Sequence, residues 1–125
     1  MKLLQKQIET KEKIEEVSRF LGIDPNWASA VAMTESSLGM HQKSRTGCRG
    51  VFQMSEIAMK DLLWDMENID DDLVDIMCGI LFLRLLLKRW KTIGKATLHY
   101  CDSNDHGFYM ARVQKYMSKF EALNG

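Results

Sequence analysis

The longest apolar run of the sequence covers residues 76–87 and is interrupted by Arg84. It is shorter than the roughly 20 residues that a helix needs to cross a bilayer, so it predicts a helix buried in the core of the protein. Three aspartates at residues 70–72 come just before the run and suit the positive end of a helix. We therefore predict a central helix within Asp72–Trp90, around which the rest of the chain packs.

The remaining sequence carries helical patterns and no strand-like alternation longer than a few residues. Asp24 followed by Pro25 is typical of a helix start, and Gly22 and Gly39 are placed to end helices. Besides the central helix, we predict helices over residues 3–21, 26–38, 55–66, 92–100 and 108–123. The predicted fold class is all-α, with minimal strand at most.

Length and composition favour one soluble domain. The chain has 125 residues, of which 46% are hydrophobic and 27% are charged, enough for one core and too few for a second catalytic domain. Seventeen basic residues balance seventeen acidic ones, so no overall field would draw the protein to nucleic acid or to an anionic membrane. We expect a monomer that recognises its partner through a local site.

The cysteines and histidines do not form a metal-binding pattern. Cys48, Cys78 and Cys101 are odd in number and lack metal-ligand spacing, so reduced thiols are expected. Cys101 could in principle meet a zinc ion together with His99 and His106, but no C-x-x-C or H-E-x-x-H spacing supports such a site. We predict neither a metal nor a cofactor and expect these three residues to be solvated in loops.

Glu35 is the residue that most strongly suggests chemistry. It lies four residues after Val31 and seven after Ala28, so its side chain continues the apolar stripe of the second helix. Partial burial and the negative end of the helix both predict a raised pKa. A carboxyl that keeps its proton near neutral pH is what a glycosidic leaving oxygen requires. Taken alone, Glu35 also fits a solvated helix end.

Several short motifs surround Glu35 in a defined order. They are Gly22-Ile23-Asp24-Pro25, Glu35-Ser36, Ser44, the segment 47–54, His99-Tyr100-Cys101, and Tyr109 with Val113 and Tyr116. In this order and spacing the chain resembles the soluble lytic transglycosylase family of lysozyme-like domains, over roughly residues 20–120. The family motif Ala-Tyr-Asn is only partly matched by His99-Tyr100-Cys101, because Tyr100 is kept and Cys101 stands in place of the asparagine.

The resemblance implies a lysozyme-like catalytic core over residues 22–120, preceded by an N-terminal helix over residues 1–21, and a substrate in the glycan strands of peptidoglycan. Glu35 would protonate the oxygen between N-acetylmuramic acid and N-acetylglucosamine. It would then take the proton of the muramoyl 6-hydroxyl, which closes a 1,6-anhydro ring. A glycosidase with two carboxylates would need a partner about 5 to 9.5 Å away. Residues 39–53 contain no Asp or Glu, which leaves Glu56 and Asp102 as distant candidates.

The other family positions are implied to bind substrate or to position the carboxyl. They are Ser36, Ser44, Gly50, Gln53 and Tyr100. Ser44 and Gln53 would donate or accept hydrogen bonds, Gly50 would let the backbone approach the sugar, and Tyr100 would lie close to the catalytic carboxyl. The alternative for Ser44 and Gln53 is a turn and a buried polar anchor.

Other functions remain open beside transglycosylation. One is lysozyme-type hydrolysis, and another is a catalytically silent glycan-binding or structural protein of a virion or secretion machine, because Cys101 departs from the motif. The zero net charge disfavours a helix-turn-helix DNA reader, and an adaptor would have no reason to carry the ordered motifs. Residues 1–7 turn polar before a signal peptide can form, so we expect cytoplasmic synthesis and delivery to the periplasm or cell wall by a phage or a secretion machine.

Overall fold

The computed structural model describes residues 1–42, 47–61, 72–101 and 106–124. Within these ranges the chain forms six helices and no strand, which confirms the predicted all-α class. The helices are α1 (Gln5–Leu21), α2 (Pro25–Ser36), α3 (Glu56–Asp61), α4 (Asp72–Trp90), α5 (Ile93–Tyr100) and α6 (His106–Asn124). Among the described residues, none of the helices is long and apolar enough to cross a membrane.

The boundaries of α2 follow from the residues at its two ends. The Asp24 carboxylate accepts the Asn26 backbone N–H at 2.9 Å and caps the start of the helix. The helix ends at Ser36, two residues before the predicted end. Ser37 and Leu38 both adopt left-handed conformations, with φ of 53° and 55°, which stops the helical hydrogen-bond pattern before Gly39.

The other helices lie close to their predicted positions. The bounds of α4 agree with the predicted central helix, and Gly22, with φ of 72°, ends α1 as expected. Thr92 caps α5 by accepting the Lys95 N–H at 3.1 Å. The last helix begins at His106 and not at residue 108. The part of the predicted helix 55–66 beyond residue 61 lies outside the described residues.

The core is built around α2 and one face of α4. Residues 27–32 of α2 are all buried, and this helix packs against α1 and α6. The indole N–H of Trp27 donates to the Thr97 hydroxyl of α5 at 2.8 Å. α4 packs against α1 and α5 and leaves Met77 and Arg84 exposed, so its surface is not enclosed on every side. Glu35 thus lies at the end of a helix that is largely buried.

Residues 49–54 form a tight turn that is anchored in this core. Arg49 and Met54 exchange two backbone hydrogen bonds of 3.1 and 2.9 Å. Phe52 is fully buried against α4 at Gly79, where a methyl group in place of the glycine hydrogen would overlap the Phe52 side chain. We refer to residues 49–54 as the 49–54 turn.

Candidate active site

Glu35 lies in the last turn of α2, half-buried, where α6 packs against that helix. The Tyr109 hydroxyl of α6 donates a hydrogen bond of 2.5 Å to Oε2 of Glu35. Burial raises the pKa of Glu35 to about 7, and the hydrogen bond from Tyr109 acts in the opposite direction. The partial burial and the raised pKa agree with the sequence prediction, and the alternative of a fully solvated helix end does not hold.

Tyr109 is a site residue that the sequence analysis did not select. Its only signal was its place in the last motif, where packing is an equally good explanation. Burial raises the pKa of Tyr109 well above its ordinary value, and the negative charge of Glu35 adds to this effect. Tyr109 is therefore a neutral hydrogen-bond donor to the carboxyl over the whole physiological pH range.

Tyr100 lies near the carboxyl, as the resemblance implied, but its hydroxyl is bonded to the 49–54 turn. Its hydroxyl donates to the Phe52 carbonyl oxygen at 2.5 Å and lies 3.7 Å from the Met54 sulfur. Burial raises the pKa of Tyr100 well above the usual range, followed by the charge of Glu35, so the two groups are near each other. The hydrogen bond to Glu35 comes from Tyr109, and Tyr100 supports the 49–54 turn.

Ser36 is too deeply buried to touch a substrate, since only 2% of the residue is exposed. Its hydroxyl donates to the Val51 carbonyl oxygen at 2.5 Å and accepts the Gly39 N–H at 2.9 Å. This burial disfavours substrate binding by Ser36, and its contacts within the protein suit the positioning role. Ser36, which directly follows Glu35, is thereby bonded to the 49–54 turn.

Gln53 and Gly50 also make contacts inside the protein. The Gln53 side-chain amide donates to the backbone oxygens of Gly50 and Gln42, both at 2.8 Å, which corresponds to the polar-anchor alternative. Gly50 is buried, with φ of 86°, and faces the carboxylate of Asp75. The space that a side chain at Gly50 would need is taken by Asp75, and the approach of Gly50 to a sugar stays a prediction. Ser44 lies outside the described residues.

Asp75 of α4 is the second residue that the sequence analysis missed, although an acidic residue beside the apolar run was a visible signal. It is 2% exposed, and Oδ2 accepts the Val51 N–H at 2.8 Å. Asp75, Ser36 and Tyr100 lie on three different helices. Their side chains all form hydrogen bonds with backbone groups of Val51 and Phe52.

The cysteines and histidines near the site form no metal centre in the part of the chain that the structure describes. Cys48, Cys78 and Cys101 are thiols. Cys101 is buried and was wrongly expected to be solvated, because it follows α5 directly into the core. His99 is exposed, as expected, but it lies in α5 and stacks on the Trp90 ring at 3.5 Å.

Of the two distant carboxylates proposed from the sequence, only Glu56 lies among the described residues. The Glu56 side chain is exposed and pairs with Lys60 at 3.6 Å on α3, and Asp102 lies outside the described residues. An open depression of about 440 Å³ lies beyond the end of α2, where Gln53 bonds to Gln42. Its lining residues are Gly39, Met40, His41 and Gln42.

No protein-family model, curated protein or solved structure matches the chain.

Proposed function

We propose that this protein is a lytic transglycosylase that cleaves the glycan strands of peptidoglycan, with Glu35 as its single acid and base. The observation that carries the proposal is the state of the Glu35 carboxyl, half-buried, bonded by Tyr109 and with a pKa raised to about 7. At neutral pH such a group is present in both protonation states. A residue that first donates and then accepts a proton works best with a pKa near the working pH.

The reaction would proceed in two steps on the same face of the sugar. Protonated Glu35 gives its proton to the oxygen between N-acetylmuramic acid and N-acetylglucosamine, and the bond from C1 to that oxygen breaks. The substrate's own N-acetyl group holds the charge on C1. The Glu35 carboxylate then removes the proton of the muramoyl 6-hydroxyl, whose oxygen bonds to C1 and closes the 1,6-anhydro ring. Tyr109 would steady the carboxylate between the two transfers.

The carboxylates described around the site support a mechanism with one carboxylate. A two-carboxylate glycosidase needs a second group about 5 to 9.5 Å from the first, with room for water or sugar between them. Asp75 is buried and bonded to the Val51 N–H, and Glu56 is exposed and paired on α3. Neither offers a solvated carboxylate that faces Glu35. Peptidoglycan lies outside the cytoplasm, so the proposed place of action is the periplasm or cell wall.

The test is digestion of purified peptidoglycan followed by mass spectrometry of the released fragments. Anhydromuramoyl ends are expected. Ends heavier by one water would assign the protein to lysozyme-type hydrolysis, and the absence of fragments would leave a silent glycan-binding or structural protein.

Glu35→Gln should lower the rate by at least the factor of about 10² to 10⁴ that one general acid or base contributes. Glu121→Gln, the same substitution at an exposed position of α6, is the control and should keep full activity. If Glu35→Gln kept more than about a tenth of the activity, the activation free energy would have risen by less than about 1.4 kcal/mol. Glu35 would then not be the catalyst.

A further inference from the structure

We propose that Asp75 is a positioning residue of this site. It fixes the backbone of Val51 and, through Val51, the end of α2 that carries Glu35. Its part in catalysis rests on the proposed function. The mechanical link itself is a property of the fold and is tested separately below.

The first part of the link is the contact between α4 and the 49–54 turn. A carboxylate with 2% exposure has lost nearly all its water and needs protein donors in exchange. The Val51 N–H at 2.8 Å is one such donor. The preceding residue, Gly50, makes the approach possible, because a methyl group there would lie no more than 2.7 Å from each atom of the Asp75 carboxylate group.

The second part is the contact between the same peptide segment and α2. While the N–H of Val51 is held by Asp75, its carbonyl oxygen accepts the Ser36 hydroxyl at 2.5 Å. Val51 is therefore bonded on both sides and bridges α4 to the residue that follows Glu35. The same Ser36 oxygen accepts the Gly39 N–H at 2.9 Å, which joins the turn after α2 to this bridge.

This bridge has a consequence for the catalytic carboxyl. The raised pKa of Glu35 has burial as its first cause, so it depends on how closely the surrounding segments are held. Releasing Val51 from Asp75 would leave a buried N–H without an acceptor and would loosen the partner of Ser36. Water would then reach Glu35 more easily, and its pKa would fall towards the ordinary value for a glutamate.

The test compares Asp75→Leu, which has a similar size and no acceptor, with Asp75→Asn, which keeps a side-chain oxygen for the Val51 N–H. Three quantities are measured on the full chain: amide hydrogen exchange at Val51, the Glu35 pKa by carboxyl ¹³C NMR titration, and kcat and KM for the release of muropeptides.

In Asp75→Leu we expect Val51 to exchange at least about tenfold faster, the Glu35 pKa to fall, and kcat to drop about tenfold or more, the range expected when a buried group loses its partner. KM should change little, because Asp75 is too buried to touch substrate. Asp75→Asn should stay close to wild type in all three quantities. A purely structural role would lower thermal stability without moving the Glu35 pKa.

Unchanged Val51 exchange and Glu35 pKa in Asp75→Leu would overturn the proposal. So would an Asp75→Asn variant that behaves like Asp75→Leu, because the hydrogen bond would then not carry the effect. If circular dichroism shows that Asp75→Leu does not fold, Ser36→Ala decides, since it breaks the bridge on the α2 side, and an unchanged Glu35 pKa there would overturn the proposal. If the wild type releases no fragments, the proposed function fails while the first two measurements still decide the positioning role.

Discussion

Glu35 illustrates at the scale of one residue how burial connects chemistry to stability. Its pKa is raised from 4.5 to about 7 on folding, mainly by burial. Between these two values the folded chain holds a proton that the unfolded chain has already released. The unfolded state then binds fewer protons, so the free energy of unfolding falls as the pH rises through this window. Below pH 4.5 both states are protonated and the loss disappears.

We predict that Glu35→Gln abolishes this pH dependence. Relative to wild type, the variant should gain stability between pH 4.5 and 7 and keep the gain above pH 7. The gain is at most about 3 kcal/mol, and less because Glu35 is partly exposed and its charge is screened by solvent. Urea unfolding of both chains at pH 4 and pH 8 measures it, and all other titrating groups cancel in the difference.

Two variants that each remove one tyrosine hydroxyl extend this measurement, with Tyr100→Phe as the control for Tyr109→Phe. Tyr109→Phe removes the hydrogen bond that lowers the pKa of Glu35, so the pH window in which stability falls should extend above pH 7. Tyr100→Phe removes a hydroxyl that bonds to Phe52, and should shift the window less. Parallel stability curves for wild type and Glu35→Gln at both pH values would contradict the assignment of the raised pKa to Glu35.

At the scale of the elements, the 49–54 turn is held by close contacts that tolerate little change. Gly50 and Gly47 both have positive φ, 86° and 81°, so an alanine strains the backbone at either position. A methyl group at Gly50 would overlap the Asp75 carboxylate, whereas none of the described residues comes within 4 Å of one at Gly47.

We therefore predict that Gly50→Ala destabilises the protein by about 1 to 3 kcal/mol more than Gly47→Ala, the usual range for overpacking a filled site. Denaturant unfolding of both variants against wild type measures the difference. Equal losses would mean that backbone strain alone limits the turn and that the contact with Asp75 has no energetic weight.

Most helices could be predicted from local patterns, while the early end of α2 and the contacts of the 49–54 turn could not. Periodicity places α4 correctly because a buried face repeats along the helix. The early end of α2 depends on Ser37, whose carbonyl oxygen and hydroxyl accept the Gln7 amide at 3.1 and 3.2 Å, from 30 residues away. Such long-range contacts leave no periodic trace in the sequence.

The same distinction explains which site residues were found. Glu35 was predicted because its burial follows from its place on the stripe of its own helix. Tyr109 and Asp75 act on partners 74 and 24 residues away, so their roles depend on how helices pack. Ser36, Gly50 and Tyr100 were selected through the family motifs, but their contacts with the turn and with Asp75 became visible only in the folded chain.

At the scale of the whole molecule, α1 is packed as part of the same body as the site. It contacts both α2 and α4, and Gln7 holds the turn that follows Glu35. The Lys11 ammonium pairs with Glu15 at 3.3 Å and lies 5.0 Å from the Phe120 ring centroid of α6. The boundary placed at residue 22 therefore separates two parts of one packed body. We expect α1 and the rest of the protein to unfold together.

The same substitution at a buried and at an exposed isoleucine tests this expectation. Ile14 of α1 is 0% exposed, whereas Ile57 of α3 is 75% exposed. If the molecule unfolds as one unit, Ile14→Ala should lower the global free energy of unfolding by about 2 to 5 kcal/mol, as expected for a large-to-small change in a packed core. Ile57→Ala should change it by less than about 0.5 kcal/mol. Thermal unfolding combined with amide hydrogen exchange distinguishes the outcomes. If α1 unfolded separately, its backbone amides would exchange early in Ile14→Ala, and the midpoint of the main thermal transition would stay at its wild-type value.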